Sequence, residues 1–301
     1  MDLWTRTVTL KSHPLTPYLF LLPAFLILGL TVFFPALQAF YFSFFKYDLL
    51  QPPQWVGVDN FLRLWTDPTF WKTLRNTGLY LFGVVPILVI FPLGLAILVN
   101  QKLTGIYWFR AIYYIPVIVS VVVAGIAWKW LYSETGLLNQ IIKYVASSMF
   151  PASSIPTIPW LTSPNWALFS VMIVTIWKGL GYYMVIYLAG LQSIPKELYE
   201  AASLDGSEGW QQHFDITLPL MKPYLILVGV ISAISATKVF EEVYVMTQGG
   251  PANSSKTLVY YLYEQAFQNL DIGYACTIGL VLFLIVFIFS ILRLIFTPFQ
   301  A

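Results

Sequence analysis

Long apolar runs alternate with short polar segments along nearly the whole chain. Six runs have the length of a membrane-spanning helix: 18–45, about 74–99, 111–130, 167–191, 224–245 and 275–296. A helix needs about 20 apolar residues to cross about 30 Å of hydrocarbon. The strict alternation of apolar and polar residues that is typical of membrane-spanning strands does not occur. The pattern therefore predicts an all-α membrane protein with six transmembrane helices.

The first apolar run carries no charge from Tyr18 to Phe45. It is longer than the core of a signal peptide, and residues 35–38 (Pro-Ala-Leu-Gln) form a poor cleavage site. We therefore expect a retained first helix. The expected organisation is an N-terminal segment (1–17), a single transmembrane domain (18–296) and a C-terminal tail (297–301).

Composition agrees with a membrane protein. Of the 301 residues, 58% are hydrophobic and 10% are charged, whereas soluble domains carry about 25% charged residues. The net charge is +2 and the basic residues are scattered, so nucleic acid is not an expected partner. The single cysteine, Cys276, and the two distant histidines, His13 and His213, offer neither a disulfide framework nor metal-ligand spacing.

The proline-rich stretch 131–165 predicts a surface loop with some helix at 137–145.

The most charged interior loop, at about 192–223, has the features of a short helix–turn–helix. Pro195 suits the first turn of a helix, and Glu197 and Glu200 place negative charge near its positive end. Gly206 tolerates the left-handed conformation with which helices commonly stop. The first helix is therefore predicted to end at this glycine.

A second short helix is predicted after that turn. Ser207 is suited to cap it, it runs to Phe214, and Pro219 ends it before the next apolar run. Ala201 and Ala202 have small side chains, which leave room for another protein to approach the backbone of the first helix closely. The loop therefore predicts a docking element at the membrane surface; the alternative is an amphipathic helix that lies on the bilayer without a partner.

The order Glu-Ala-Ala, three residues, Gly, nine residues and Ile-x-Leu-Pro occupies residues 200–219. This order resembles the signature loop of permease subunits of bacterial ABC importers. Further matches to the sugar-importer branch stand at 60–61 (Asn-Phe), 67–71 (Asp-Pro-Thr-Phe-Trp), 76–77 (Asn-Thr), 189–195 (Ala-Gly-Leu-Gln-Ser-Ile-Pro) and 249–251 (Gly-Gly-Pro). Over about residues 15–296 the chain is thus similar to the maltose-permease-like member of a carbohydrate-uptake permease pair.

This resemblance implies a type I ABC importer permease fold in a bacterial inner membrane, with both termini and the signature loop in the cytoplasm. It implies a second homologous permease subunit, two ABC ATPase subunits, an extracytoplasmic solute-binding protein and a sugar or polyol solute. No cofactor is expected on this chain, because ATP and Mg²⁺ would bind to the ATPase subunits. The residues expected to couple to the ATPases are Glu197, Glu200, Ala201, Ala202, Asp205, Gly206, Ile216, Leu218 and Pro219.

Charge alone does not orient the chain. With the N-terminus inside, the inner segments hold seven basic residues and so do the outer segments. The inner set is Arg6, Lys11, Lys102, Arg110, Lys196, Lys222 and Arg293, and the outer set is Lys46, Arg63, Lys72, Arg75, Lys129, Lys143 and Lys256. The positive-inside rule therefore does not decide, and the orientation follows from the resemblance.

Ionisable residues inside the predicted spans are candidates for the solute pathway, because a charge at a helix centre costs about 2.5–3.5 kcal/mol on insertion scales. Aromatic faces and hydrogen-bonding groups beside these charges suit the C–H faces and hydroxyls of a sugar. The candidates are Trp177, Lys178, Tyr182, Tyr183, Lys238, Phe240, Glu241 and Tyr244. For Lys238 and Glu241, pairing with each other on one helix face is an alternative of equal weight to a role in the solute pathway. For Trp177 and Lys178 a structural role is favoured over solute contact.

The chain contains no Gly-x-x-x-x-Gly-Lys-Ser/Thr loop, no Gly-x-Ser-x-Gly elbow and no His-Glu-x-x-His, so it is not expected to be an enzyme. The predicted function is the permease subunit of an ATP-driven importer. Two other classes stay open: an ion-driven secondary transporter, which normally shows repeated halves, and a membrane scaffold. Glycerol-3-phosphate remains an alternative to a neutral sugar, although a phosphate ester favours a cluster of basic side chains.

Overall fold

The computed structural model of the chain describes residues 15–101, 104–149 and 156–296. Predictions for His13, Lys102, most of the N-terminal segment and the tail 297–301 lie outside these residues. The helices are α1 (Thr16–Leu28), α2 (Phe34–Phe42), α3 (Asp59–Thr66), α4 (Pro68–Val99), α5 (Ile106–Ile118), α6 (Val121–Leu131), α7 (Leu137–Met149), α8 (Ala167–Gln192), α9 (Lys196–Leu204), α10 (Trp210–Gln212), α11 (Leu218–Thr237), α12 (Glu241–Met246), α13 (Leu258–Tyr263) and α14 (Ile272–Phe296). Three π-helical turns, Gly29–Phe33, His213–Thr217 and Glu264–Gln268, join some of them, and a short strand pair consists of β1 (Phe45–Lys46) and β2 (Gln54–Trp55).

Five helical stretches are long and apolar enough to cross a membrane: Thr16–Phe42, Pro68–Val99, Ala167–Gln192, Trp210–Thr237 and Ile272–Ile291. A sixth crossing results if α5 and α6 count as one span, which is bent by 98°. The predicted all-α architecture is therefore confirmed, and the two-residue strands are its small exception.

The third predicted span, over 111–130, is broken rather than continuous. Val119 and Ser120 are extended, with ψ angles of 129° and 141°, and they separate α5 from α6. The Nζ atom of Lys178 on α8 donates hydrogen bonds to the carbonyl oxygens of Pro116, at 3.3 Å, and of Val119. A cation thus satisfies carbonyl groups that the end of α5 leaves without helical partners. A run of apolar residues does not predict this break, because the residue that binds the exposed carbonyl groups, Lys178, lies on another helix.

The centre of the bundle is formed by α4, α8 and α11. Tyr80 and Val84 of α4, Met184 and Tyr187 of α8 and Val228 of α11 are each at most 1% exposed. The first helical stretch lies at the edge, because it packs against α14 and buries none of the side chains of α1 or α2.

The fifth predicted span is shorter than expected. Helix α11 ends at Thr237, residues 238–240 are not helical, and α12 begins at Glu241. The two ion pairs formed within the described part of the chain are Arg63–Asp271 and Lys256–Glu264. The alternative that Lys238 pairs with Glu241 on one helix face is not realised among these pairs, because α11 ends before Lys238 and a separate helix begins at Glu241.

A half-buried carboxylate ties together the end of the bundle at which α4 begins. The Oδ2 atom of Asp67 accepts hydrogen bonds from the hydroxyls of Tyr261, at 2.5 Å, and Tyr274, at 2.6 Å. Its Oδ1 atom accepts one from the backbone N–H of Thr69 at 2.8 Å. Burial by itself would raise the pKa of the Asp67 carboxyl, but the bonds from Tyr261 and Tyr274 outweigh burial and hold that pKa below its usual value. Asp67 therefore links α4 to both α13 and α14.

Asp67→Asn is expected to lower the free energy of unfolding by about 1–3 kcal/mol, because it weakens hydrogen bonds to a charged group. Since folding lowers the pKa of this carboxyl, its stabilisation is present above the ordinary pKa and is lost as the pH falls through the folded-state value. Thermal unfolding of the detergent-purified chain across a pH series measures both effects.

The matched control is Asp59→Asn, an exposed carboxylate at the start of α3. We expect it to change stability by less than about 0.5 kcal/mol. Equal unfolding temperatures for the two variants would contradict the role given to Asp67.

Candidate functional site

Helix α9 stops where the sequence predicted. Gly206 has φ +88°, its N–H donates to the carbonyl of Ser203 at 3.2 Å, and the N–H of Ser207 donates to the carbonyl of Ala202 at 2.9 Å. This pair of bonds is a Schellman motif, which satisfies carbonyl groups at the end of a helix. At the other end Glu197 lies in the first turn, near the positive end of the helix.

The second predicted helix differs from its expectation in two respects. Ser207 does not cap it; the Ser207 hydroxyl donates to Oδ2 of Asp215 at 2.7 Å, and α10 begins after Gly209, which has φ +57°. Pro219 does not end it either, because the helical path continues from Trp210 to Thr237. The π-helical turn before Pro219 shifts the hydrogen-bond register, so the missing proline N–H falls in the first turn of α11.

Side-chain hydrogen bonds join the two arms of this loop into one unit. The hydroxyls of Tyr199 and Thr217 are 2.9 Å apart. The Nε2 atom of Gln212 donates to the carbonyl of Tyr199 at 3.3 Å, to the Ser203 hydroxyl at 2.8 Å and to the carbonyl of Ser207 at 3.0 Å. Sequence reasoning missed Tyr199, Gln212 and Thr217, because their partners lie across the turn and no local pattern marks them.

Large apolar side chains on this loop are left exposed. Leu204 is 90%, Trp210 75% and Phe214 66% exposed, and α9 buries none of its side chains. We call this set, with exposed Leu198, the apolar face of the loop. A single exposed apolar residue needs no explanation, but a cluster on one segment is typical of an interaction surface.

The nine predicted coupling residues fall into two groups. The exposed group is Glu197, Glu200, Ala201, Asp205, Gly206 and Pro219, and the half-buried group is Ala202, Ile216 and Leu218. Leu218 packs against the main core, so it anchors the loop to the bundle. The exposed carboxylates lie on the same segment as the apolar face, which gives a potential partner both charge and apolar area.

A cavity of about 290 Å³ lies between α4, α5, α8, α11 and α12. Of the predicted pathway residues, Lys178, Tyr182 and Tyr183 line this cavity, together with Thr175, Ser235 and Glu242. Lys178 also has the structural role favoured for it, because its Nζ binds the carbonyl groups at the end of α5. Glu242 accepts a long hydrogen bond of 3.5 Å from Thr175, whose Oγ1 lies 2.5 Å from the hydroxyl of buried Tyr80. A cation, a carboxylate and several hydroxyls thus face one cavity.

The other pathway candidates lie outside this cavity. Trp177 packs edge-on against Trp128, with ring centroids 5.5 Å apart, which agrees with the structural role favoured for it. Lys238 and Glu241 are exposed. The sequence could not place Glu242 rather than Glu241 at the cavity, because that choice depends on the direction of α12 after the break in α11.

Phe240 and Tyr244 belong to an aromatic cluster instead. Phe240 lies 5.4 Å from Tyr244 and 5.0 Å from Tyr263 between ring centroids, and Tyr263 lies 5.3 Å from Phe267. Tyr260 joins the cluster at 6.1 Å from Phe240. Such a cluster offers several ring faces beyond the cavity, on the segment that follows α11.

The comparisons with known proteins agree on one family. The profile of the family described as "Binding-protein-dependent transport system inner membrane component" matches residues 68–300. The sulfoquinovosyl glycerol transport system permease protein SmoG of Agrobacterium fabrum is 34% identical, over 93% of this chain and 89% of the relative. The arabinooligosaccharides transport system permease protein AraP of Halalkalibacterium halodurans is 35% identical, over 95% and 89%. The lactose transport system permease protein LacF of Rhizobium radiobacter is 32% identical, over 96% of both chains.

Two solved structures have the same fold. A chain in the crystal structure of a bacterial alginate ABC transporter in complex with an alginate pentasaccharide-bound periplasmic protein has a TM-score of 0.79 and 23% identity, and the match covers 92% of each chain. A chain of a bacterial ABC transporter involved in import of the acidic polysaccharide alginate has a TM-score of 0.78 and 24% identity, over 92% and 94%. These likenesses confirm the fold predicted from the sequence.

Proposed function

This chain belongs to the family of binding-protein-dependent transport system inner membrane components, and from that premise we propose that it is the permease subunit of an ATP-driven importer of carbohydrates. It forms half of the translocation pathway beside a second, homologous permease subunit. Two ATPase subunits, which hold ATP and Mg²⁺, drive it, and an extracytoplasmic solute-binding protein supplies the solute. The loop 192–223 and both termini face the cytoplasm.

The observation that carries this proposal is the shape of the loop between α8 and α11. It is braced internally by Gln212 and Tyr199, yet it exposes an apolar face and several carboxylates. A rigid segment with an uncovered apolar face is suited to sit in a groove of another protein and to transmit its movement as rigid-body rotation. Closure of the ATPase dimer on ATP would push α9, and the bundle would follow.

Co-purification tests the proposal against its alternatives. An affinity-tagged chain expressed with its neighbouring genes should retain an ATPase subunit, and solute uptake should require ATP. Uptake that depends on an ion gradient, with no ATPase bound, would support a secondary transporter instead. If no ATPase is bound and no solute flux is measured, the membrane-scaffold alternative is supported.

A carbohydrate is the proposed solute for two reasons. The relatives SmoG, AraP and LacF are named for sulfoquinovosyl glycerol, arabinooligosaccharides and lactose. The cavity also offers hydroxyl, carboxylate and ring groups that suit sugar hydroxyls and C–H faces, whereas Lys178 is its single Lys or Arg among the described residues. Because Glu242 would repel a phosphate ester, glycerol-3-phosphate is the less favoured solute.

Glu242→Gln is expected to reduce solute uptake about 10-fold or more, since a hydrogen bond to a charged group contributes about 1.5–3 kcal/mol. The control is Glu134→Gln, an exposed carboxylate outside the cavity, which should leave uptake within about 2-fold. Uptake rates are compared at equal amounts of membrane-inserted protein. Equal uptake rates for the two variants would contradict a role of Glu242 in the solute pathway.

A further inference from the structure

A second and larger cavity opens beside the loop, at the end of the bundle where α4 and α8 finish. Its volume is about 880 Å³. It lies between the turn that joins α4 to α5 and the segment that joins α8 to α11. Sites for ligands of moderate size commonly have about 300–1,000 Å³. The cavity is therefore large enough for the head group of a lipid.

The charge of this cavity has one sign. Arg110 and Lys196 line it together with His213, and neither Asp nor Glu occurs among the described residues of its wall. Asn100 and Gln192 add amide groups that can donate hydrogen bonds. The wall is thus suited to an anion with several acceptor oxygens.

The two cations are available to a ligand. Arg110 donates from Nε, at 3.2 Å, and from Nη2, at 2.6 Å, to the carbonyl of Val99, which fixes the guanidinium while its Nη1 makes no hydrogen bond within the described structure. Lys196 is exposed, and the described residues offer its Nζ no hydrogen-bond or ion-pair partner. Arg110 therefore supplies a positioned charge and Lys196 a mobile one.

Aromatic side chains indicate the depth of the cavity in the membrane. Tyr107 is 77%, Trp108 75% and Phe109 57% exposed, in the first turn of α5 beside the cavity. Exposed tryptophan and tyrosine are enriched at the level of the lipid head groups. Basic pockets between transmembrane helices at this level bind the head groups of anionic lipids.

We propose that this cavity binds the phosphate group of an anionic phospholipid. The lipid phosphate bridges Arg110, in the second turn of α5, and Lys196, at the start of α9. Binding therefore holds the loop that carries α9 against the body of the bundle. The proposal concerns lipid binding by this chain and does not depend on which solute is transported.

The test uses the full-length chain purified in a neutral detergent with the subunits that it carries. Phosphatidylglycerol retained by the protein is measured by native mass spectrometry, with phosphatidylcholine as the neutral lipid. The variants are Lys196→Gln and the double variant Arg110→Gln/Lys196→Gln, and the control is Lys222→Gln, an exposed lysine at the same end but outside the cavity. Inorganic phosphate and glycerol phosphate are added separately as soluble competitors.

We expect phosphatidylglycerol binding to fall about 5-fold in Lys196→Gln and about 25-fold in the double variant, since each basic residue near a membrane surface contributes about 1 kcal/mol. Lys222→Gln should retain wild-type binding, and millimolar soluble phosphates should not displace the lipid. Equal retention by the double variant and the control would overturn the proposal. Displacement by soluble phosphate would reassign the cavity to a free phosphate ester, and loss of an ATPase with unchanged lipid binding would reassign it to protein docking; either result also overturns it.

Discussion

Replacing Gly206 by valine is expected to abolish solute uptake while the chain still inserts into the membrane. Gly206 has φ +88°, and no atom lies within 4 Å of the Cβ that a side chain would add. The penalty is therefore conformational rather than steric, and it amounts to about 1–3 kcal/mol for a residue forced into this region. Because α9 has nine residues and buries none of its side chains, no buried apolar packing offsets that strain, and only the hydrogen bonds across the loop oppose it. Uptake assays with immunoblots of the membrane fraction measure the two effects separately.

Gly206→Asn is the matched control for this prediction. Asparagine enters the left-handed region more readily than other residues with a side chain, and the space around Gly206 is open. We expect this variant to retain most of the uptake. If Gly206→Asn failed as completely as Gly206→Val, the loss would come from the added side chain at a contact surface and not from the backbone of the turn.

Glu200→Lys should abolish uptake by a different route. Glu200 is exposed and forms no hydrogen bond or ion pair through its side chain with the described residues, so reversing its charge leaves the fold of the chain intact. The expected defect is loss of the ATPase from the purified complex. Glu200→Gln removes the charge without reversing it and should have a smaller effect. Normal uptake by Glu200→Lys would contradict the coupling role of this loop.

Gly181→Ala is expected to destabilise the bundle strongly. A Cβ at Gly181 would overlap the carbonyl oxygen of Tyr113 and lie 3.1 Å from Cγ2 of Val117. The obstacle is backbone, so α5 would have to move away from α8, and the Lys178 contacts that hold the bend after α5 would be lost with it. Overpacking of this kind costs about 1–3 kcal/mol and occasionally more.

Thermal unfolding of the detergent-purified chain measures this cost. Gly94→Ala in α4 is the control, because no atom lies within 4 Å of its added Cβ and alanine favours a helix by up to about 1 kcal/mol over glycine. We expect Gly94→Ala to be neutral or stabilising and Gly181→Ala to unfold several degrees lower. Equal unfolding temperatures would mean that α5 and α8 separate easily, contrary to the packing described above.

The apolar pattern predicted the six-span architecture well, since span length depends on local composition. It failed at two places for different reasons. Lys178 of α8, a residue distant in sequence, binds the carbonyl groups at the break after α5. The helix continues past Pro219 because a π-helical turn lies directly before it, and a proline in the sequence does not distinguish such a turn from the end of a helix.

The candidate sites show the same division. The end of α9 at Gly206 was predictable, because a glycine at the end of a helix commonly adopts the left-handed conformation whatever surrounds it. The choice between Glu241 and Glu242 was not predictable, because it is set by the end of α11 at Thr237 and the new direction of α12. Residues whose role depends on local conformation can be found from sequence, whereas those that meet in a cavity need the tertiary structure.

The most direct test is the accessibility of one residue of the loop. Leu204 is 90% exposed, and Cys276 is the single cysteine of the chain, so Leu204→Cys in a Cys276→Ser background carries one reporter thiol. We predict that a membrane-impermeant maleimide labels it only from the cytoplasmic side, and that a bound ATPase protects it and forms a cross-link with it. Labelling of intact cells from outside, or equal labelling with and without the ATPase, would contradict the assignment of this loop as the coupling element.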